Sequence, residues 1–346
     1  MKAAVIVTLV LFLPLPISLA QEATPELSFR SKPVIVAFAG EGYEYSPKVV
    51  GAESAKFSLV SGPTGMSIDS ATGKLTWLPN HNHAPYQQVS VEVSDGDWTA
   101  DQEFEIFVLG LNDAQAEAMK KVNAGFTGVD HSFAGFGDSI TVSFAWVLDM
   151  TWRDQDHSPA WRTSGSYVFT QRGPEHCSQG GWRTTNAVGD LEGRYPPTVI
   201  DYALTHDKPE VATVMFGTND AVNVPTEVYA KNLAFIVDKC LEHHCIPILC
   251  VPTRYTWPGA DVTRFFPEIR RIARERDLPL IDLDKLFENE PEPLSLLSDG
   301  VHPNNSGDEG PYQLHDRRFG YNIINHANYH MYRALIERGV IDDVGQ

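Results

Sequence analysis

Two patterns of apolar and polar positions divide the chain. From Leu27 to Leu109 the apolar residues come in short runs, several of them alternating: Val34-Ile35-Val36, Phe57 to Val60, Lys74 to Trp77, Val89 to Val93 and Glu103 to Val108. A period of two over four to eight residues predicts half-buried strands. Ser61-Gly62-Pro63, Thr72-Gly73 and Asp95-Gly96 stand between the runs as turn signals. No segment here has helical spacing, so residues 27–110 are expected to form a small all-β sandwich. Asp95 and Asp97 suit a hairpin turn better than a calcium site.

Residues 111–130 are polar and Ala-rich, a short helix or linker. The pattern then changes. Ser132 to Gly137 leads into Ser139–Trp152, where Ile140, Phe144, Val147 and Leu148 have helical spacing. Tyr167 to Phe169 is a short strand, and Val211 to Phe216 a continuous apolar run, as a parallel strand buried on both faces requires. Glu227 to Leu241 predicts an amphipathic helix, Ile246 to Val251 a strand, Phe265 to Arg276 a helix, Leu278 to Leu283 a strand, and Asn322 to Arg338 a final helix. Such alternation over 131–346 predicts a doubly wound α/β domain whose ligands bind at the carboxyl ends of the strands.

Charge and termini narrow the picture. A chain of 346 residues with a formal charge of −18 has no positive footprint for nucleic acid or an anionic membrane. Residues 1–20 read as a secretory signal: Lys2, an apolar run from Ala3 to Leu13, then Ser18-Leu19-Ala20 before a cleavage at Gln21. Pro14 and Pro16 interrupt that run, which is short for a membrane span. A secreted chain without an integral membrane segment is therefore expected. Its four cysteines, Cys177, Cys240, Cys245 and Cys250, permit three pairings, with Cys240 and Cys245 the nearest local pair. Cys240, His243, His244 and Cys245 match no common zinc spacing, and no metal is expected.

Three motifs follow three of the expected strands. Gly137-Asp138-Ser139-Ile140-Thr141 places a hydroxyl where a strand turns into a helix, though Asp138 or Ser139 could equally cap that helix. Thr141 stands where the G-x-S-x-G elbow would need glycine, and the third glycine of a dinucleotide fingerprint is missing. Gly217-Thr218-Asn219-Asp220 can aim an amide NH2 into the crevice or simply make a turn. In Asp299-Gly300-Val301-His302-Pro303 a carboxylate three residues from an imidazole can reach Nδ1 and leave Nε2 for a serine hydroxyl.

In this order the three motifs resemble the blocks of the SGNH (GDSL-like) hydrolases, over roughly Phe133 to Ile341. The resemblance implies a flavodoxin-like three-layer domain and a serine esterase with Ser139 as nucleophile, His302 as base and Asp299 as its partner. It implies an oxyanion hole from Ser139, Asn219 and a glycine of Cys177 to Thr185, with Gly181 the first choice and Gly180 the second. No metal or organic cofactor is implied. The run from Ser61 to Asp69, then Thr72 to Pro79 and Val93 to Gly96, is similar to cadherin-like Ig modules of bacterial secreted proteins. Export and that neighbour point to an acylated extracellular glycan as substrate. Trp146, Trp152, Trp161, Trp182 and Trp257 are candidate stacking faces, Trp182 the best placed. A lipid esterase, a thioesterase and an inactive surface-binding protein are the alternatives. An insert from Ser306 to Phe319 separates the His302 loop from the final helix.

Overall fold

The computed structural model describes residues 26–96, 98–142, 168–169, 173–255, 257–305 and 317–342. Residues 1–20, expected to be a secretory signal, lie outside these, with Asp97, Trp146, Trp152, Trp161, Tyr167, residues 306–316 of the insert and the expected helix beyond Val142.

Among the described residues the amino-terminal region holds nine strands: β1 (Ser28–Phe29), β2 (Val36–Phe38), β3 (Tyr43–Tyr45), β4 (Val49–Val50), β5 (Lys56–Ser61), β6 (Ser67–Ile68), β7 (Leu75–Trp77), β8 (Tyr86–Asp95) and β9 (Trp98–Leu109). One sheet has the order β2-β9-β8-β5, a second β3-β7-β6, and β1 pairs with β4. In β8 the alternation works as the sequence implies: Val89, Val91 and Val93 are buried and their neighbours are not. Tyr45 meets Phe104 edge-on at 5.8 Å, which joins the two sheets in one core. Strands β1, β3, β4 and β6 are too short to register as a pattern.

Helix α1 (Asp113–Asn123) follows, opened by a capping box between Asn112 and Gln115. The α/β region then contains β10 (Val129–Gly137), α2 (Ser139–Val142), β11 (Val168–Phe169), α3 (Thr184–Ala187), α4 (Val199–Asp207), β12 (Pro209–Met215), α5 (Thr226–Glu242), β13 (Ile246–Val251), α6 (Phe266–Glu275), β14 (Leu280–Asp282), α7 (Leu283–Glu288) and α8 (Gly320–Glu337). The sheet is parallel throughout, ordered β11-β10-β12-β13-β14. This is the flavodoxin-like order, in which strands are added on opposite sides of the first strand and the winding reverses between the first and third strands. Every residue of β12 and β13 is buried, because helices cover both faces. Helix α5 turns Tyr229, Leu233, Ile236, Val237 and Cys240 inward, and α6 turns Phe266, Ile269, Ile272 and Ala273 inward. None of the described helices is long and apolar enough to cross a membrane.

The expected strand Leu278 to Leu283 ends earlier, at Asp282, whose side chain accepts from the Lys285 N–H and starts α7. An acid at a strand end is a good helix cap, and capping prevailed over the apolar pattern. All four cysteines are buried free thiols; Cys240 and Cys245 adjoin at the end of α5 without a disulfide. His243 faces Asp201 and His244 Nδ1 faces the Val122 carbonyl, so the Cys240–Cys245 cluster does not converge on a common point.

Polar and aromatic contacts join the β-rich region to the α/β region, Phe38 meeting the His330 ring at 4.7 Å among them. Tyr86 Oη donates to Asp282 Oδ2 at 2.5 Å, and Arg270 Nε donates to the same oxygen at 2.9 Å. The Ile35 N–H donates to Asn289 Oδ1 at 2.8 Å, and from α1 the Gln115 Nε2 donates to the Leu278 carbonyl at 2.6 Å. Burial pushes the Asp282 carboxyl up, with Arg270 opposing. Tyr86→Phe should therefore destabilise the folded chain by about 1–3 kcal/mol, the cost of removing a donor from a buried acceptor. Urea titration measures it, and a loss under about 0.5 kcal/mol would show that the contact contributes little.

Candidate active site

The site forms where β10 and β12 diverge, the switch point at which a parallel sheet of this order opens a crevice. Gly137 ends β10. A methyl group there would lie 2.1 Å from Thr141 Oγ1 and 2.4 Å from the Met215 carbonyl, so only glycine lets α2 start so close to β12. Asp138 is fully buried and Oδ1 accepts from the Ile140 N–H at 3.0 Å, the capping role open to it in the sequence. Ser139 is the first residue of α2.

Ser139 Oγ lies 2.8 Å from His302 Nε2. On the other side of the ring, His302 Nδ1 lies 2.8 Å from Asp299 Oδ2. The loop that carries both is tight: the Ser298 N–H donates to the His302 carbonyl at 2.8 Å, and the Asn304 N–H to the Leu296 carbonyl at 2.7 Å. Asp299 Oδ1 also accepts from the backbone N–H groups of His302 at 2.7 Å and Val301 at 3.0 Å. The His302 N–H and its imidazole, then Val301, hold the Asp299 carboxyl down at about 2. An anion fixed on Nδ1 orients the ring and leaves Nε2 to take a hydroxyl proton.

Asn219 follows β12, in the segment that ends that strand. Its Nδ2 donates to Asp138 Oδ2 at 3.3 Å, which sets the amide with its NH2 toward Asp138 rather than the reverse. Burial raises the Asp138 carboxyl to about 6, opposed by the Ile140 N–H and the Thr218 hydroxyl. The next residue, Asp220, is buried and accepts from the Thr184 N–H at 2.9 Å and hydroxyl at 2.6 Å. That bond ties the start of α3 to the segment holding Asn219.

The third contributor is the segment before α3. It runs beside β10: Gly137 N–H donates to the Cys177 carbonyl at 3.1 Å, and Gln179 N–H to the Gly137 carbonyl at 3.2 Å. Of the two glycines, Gly180 faces Ser139: a methyl group there would meet Ser139 Cβ at 3.8 Å, whereas nothing lies within 4 Å of that position on Gly181. Trp182, favoured as a stacking face, is only 5% exposed and belongs to the core. Trp257 is 59% exposed. It stands on the loop after β13, beside Tyr255, whose hydroxyl donates to the Thr218 carbonyl at 2.8 Å. Sequence spacing had no means of separating these two tryptophans.

A hydroxyl, an imidazole and a carboxylate in line at the switch point of a doubly wound sheet form the kind of arrangement used for acyl transfer. Residues 136–309 match the GDSL-like Lipase/Acylhydrolase family, and the chain belongs to that family. It is an ester-bond hydrolase. Similar solved structures include the lipase/acylhydrolase from Enterococcus faecalis, 18% identical with a TM-score of 0.43, the match covering 62% of this chain and 99% of that one. The acetyl xylan esterase AlAXEase is 17% identical, TM-score 0.41, covering 57% of this chain and 98% of that one. The psychrotrophic esterase EstA from Pseudoalteromonas sp. is 16% identical, TM-score 0.41, covering 60% and 100%. No curated protein matches the chain.

Proposed function

We propose that Ser139, His302 and Asp299 act as a catalytic triad on carboxylic esters, and that the substrate is an acylated extracellular carbohydrate. The line from Ser139 Oγ through the His302 ring to Asp299, with 2.8 Å at both joints, carries this reading. His302 Nε2 takes the Ser139 proton as Oγ attacks the ester carbonyl. The tetrahedral oxyanion is held by the Asn219 amide, the Ser139 N–H and the N–H of the Gly180-Gly181 pair, where the contact with Ser139 favours Gly180. His302 then protonates the leaving alkoxide, and water, deprotonated by the same ring, cleaves the acyl-enzyme. Asp299 stays ionised through the cycle and stabilises the imidazolium.

The carbohydrate part of the reading rests on three features. The secretory segment at residues 1–20 directs the chain outside the cell. The β-rich region resembles cadherin-like Ig modules and serves as a glycan- or partner-contacting neighbour. Trp257 offers an open aromatic face on a loop that is bonded to the Asn219 segment. Acetate release from acetylated xylan, set against fatty-acid release from phospholipid, tests the substrate class. Trp257→Ala should raise KM on acetylated xylan oligosaccharides about three- to tenfold, the value of one aromatic contact, and leave p-nitrophenyl acetate unchanged. Faster release of fatty acid than of acetate would replace this reading with that of a lipid esterase.

A further inference from the structure

Behind the glycine pair lies a buried acid–base cluster that the reaction steps leave unused. His176 ends a 3-10 turn, Pro174–His176, and is almost fully buried. Its Nδ1 lies 2.8 Å from Asp207 Oδ2 and 3.0 Å from Oδ1. Asp207, also buried, is the last residue of α4, and its Oδ1 lies 2.7 Å from His206 Nδ1. The His206 ring is half exposed and stacks on Tyr202 at 5.8 Å.

We propose that the His176–Asp207 pair is a positioning device for the oxyanion hole. The inference rests on the reading of the Gly180-Gly181 segment as an oxyanion donor. Among the described residues, the segment from Gly173 to Gly181 is tied to β10 only at its middle, through the Gly137 bonds to Cys177 and Gln179, and the turn before Cys177 is held by other contacts. It closes on itself through Gly173 and Ser178, whose backbone groups bond at 2.9 Å and 3.3 Å. It then turns at Cys177, a non-glycine residue held at φ 51° and ψ 36°. Such a left-handed residue costs about 1 kcal/mol or more and persists only when its surroundings hold it. The Asp207 carboxylate grips the residue immediately before that turn. The same carboxylate ends the helix that leads through Lys208 into β12, at whose far end Asn219 stands. One buried pair therefore links the segments that supply two of the oxyanion donors.

His176, His206 and Asp207 are also a group of three potential metal ligands. The two histidine–Asp207 separations, 2.7 to 3.0 Å, speak against that role. Two ligands on a tetrahedral ion with bonds of about 2.0–2.1 Å stand roughly 3.3 Å apart. The observed distances are hydrogen-bond lengths, with both imidazoles donating to one carboxylate.

The test uses His176→Ala, His176→Asn and Asp207→Asn in the full secreted chain, with kcat, KM, end-point fluorophosphonate labelling of Ser139 and inhibition by a boronate transition-state analogue. A donor displaced by about 1 Å loses most of its contribution, so His176→Ala and Asp207→Asn should lower kcat about ten- to a hundredfold. KM should stay within about twofold, because the ground-state ester does not use the hole. Labelling should reach one per chain, and boronate affinity should fall by the same factor as kcat. In His176→Asn the amide Nδ2 stands where Nδ1 stood, and activity should return to within about threefold of wild type, one preserved hydrogen bond. The proposal is overturned if either disruptive variant keeps wild-type kcat per labelled serine, including the case in which only the labelled fraction falls. It is also overturned if purified wild type carries stoichiometric zinc that His176→Ala abolishes. Should His176→Ala fail to fold, Asp207→Asn against His176→Asn decides by the same criteria. If wild type itself neither labels at Ser139 nor hydrolyses esters, the esterase reading fails instead, a distinguishable result.

Discussion

Ser139→Ala is expected to lower kcat on p-nitrophenyl acetate by about four to six orders of magnitude, the range found when a triad nucleophile is removed. In barrier terms this is about 5 to 8 kcal/mol. The loss is large because the hydroxyl is not one contributor among many: it supplies the atom that forms the covalent bond. His302→Ala should cost about as much as Ser139→Ala, and the double variant no more than either, since the two act as one unit. Asp299→Asn should cost less, on the order of 10⁴. It leaves the ring in place but removes the anion that selects the tautomer. The folded structure should survive each change, as His302 and Asp299 are partly exposed and Ser139 is the first residue of α2. The decisive readout is residual turnover in Ser139→Ala after far-UV circular dichroism has shown a wild-type spectrum. Retention of more than about 1% activity, far above the expected range, would move the nucleophile elsewhere and end the triad reading. An inactive wild type that fails to label with fluorophosphonate would instead favour a surface-binding protein.

The site was legible in the sequence to the extent that its residues sit at strand ends. Val211 to Phe216 is so apolar that β12 could be placed within two residues, and Gly217 to Asp220 fell beyond it automatically. The three-residue spacing of Asp299 and His302 made their contact a local matter, and the structure brings them together with Ser139. What depends on burial was not legible. Trp182 and Trp257 look alike in sequence, yet one is in the core and the other faces solvent. The choice between Gly180 and Gly181 turns on which lacks a side chain toward Ser139, a question of backbone direction. Helix α4 has no clear signal in the sequence, because Gly189, Gly193, Pro196 and Pro197 precede it and its polar face carries only a few residues. Asp207 and its grip on His176 therefore have no signal in the sequence either. Asp138 was visible as a helix cap, but not as a buried carboxylate in contact with Asn219.

That contact gives Asp138→Asn two opposed effects. Burial raises the Asp138 carboxyl to about 6 from its ordinary value of 3.8. Between those two pH values the folded chain holds a proton that the unfolded chain has released, so wild-type stability falls as pH rises through this window. About two pH units of mismatch correspond to roughly 3 kcal/mol, reached in full above pH 6. An asparagine has no charge to desolvate and can still accept from the Ile140 N–H. Allowing for weaker hydrogen bonds to its neighbours, Asp138→Asn should be more stable than wild type by about 1–3 kcal/mol at pH 7, with the gap closing near pH 4. Activity should move the other way. The carboxylate now accepts from Asn219 Nδ2; an amide in its place either opposes a second NH2 to it or turns the Asn219 amide around. In either case the oxyanion loses a well-aimed donor, and kcat should drop about 10²- to 10³-fold. Paired urea titrations and kcat measurements at pH 4, 5, 6 and 7 check both signs on the same preparations. A variant less stable than wild type at pH 7, or a stability gap independent of pH, would show that Asp138 is not a costly buried anion. Unchanged kcat would show that Asn219 does not depend on it.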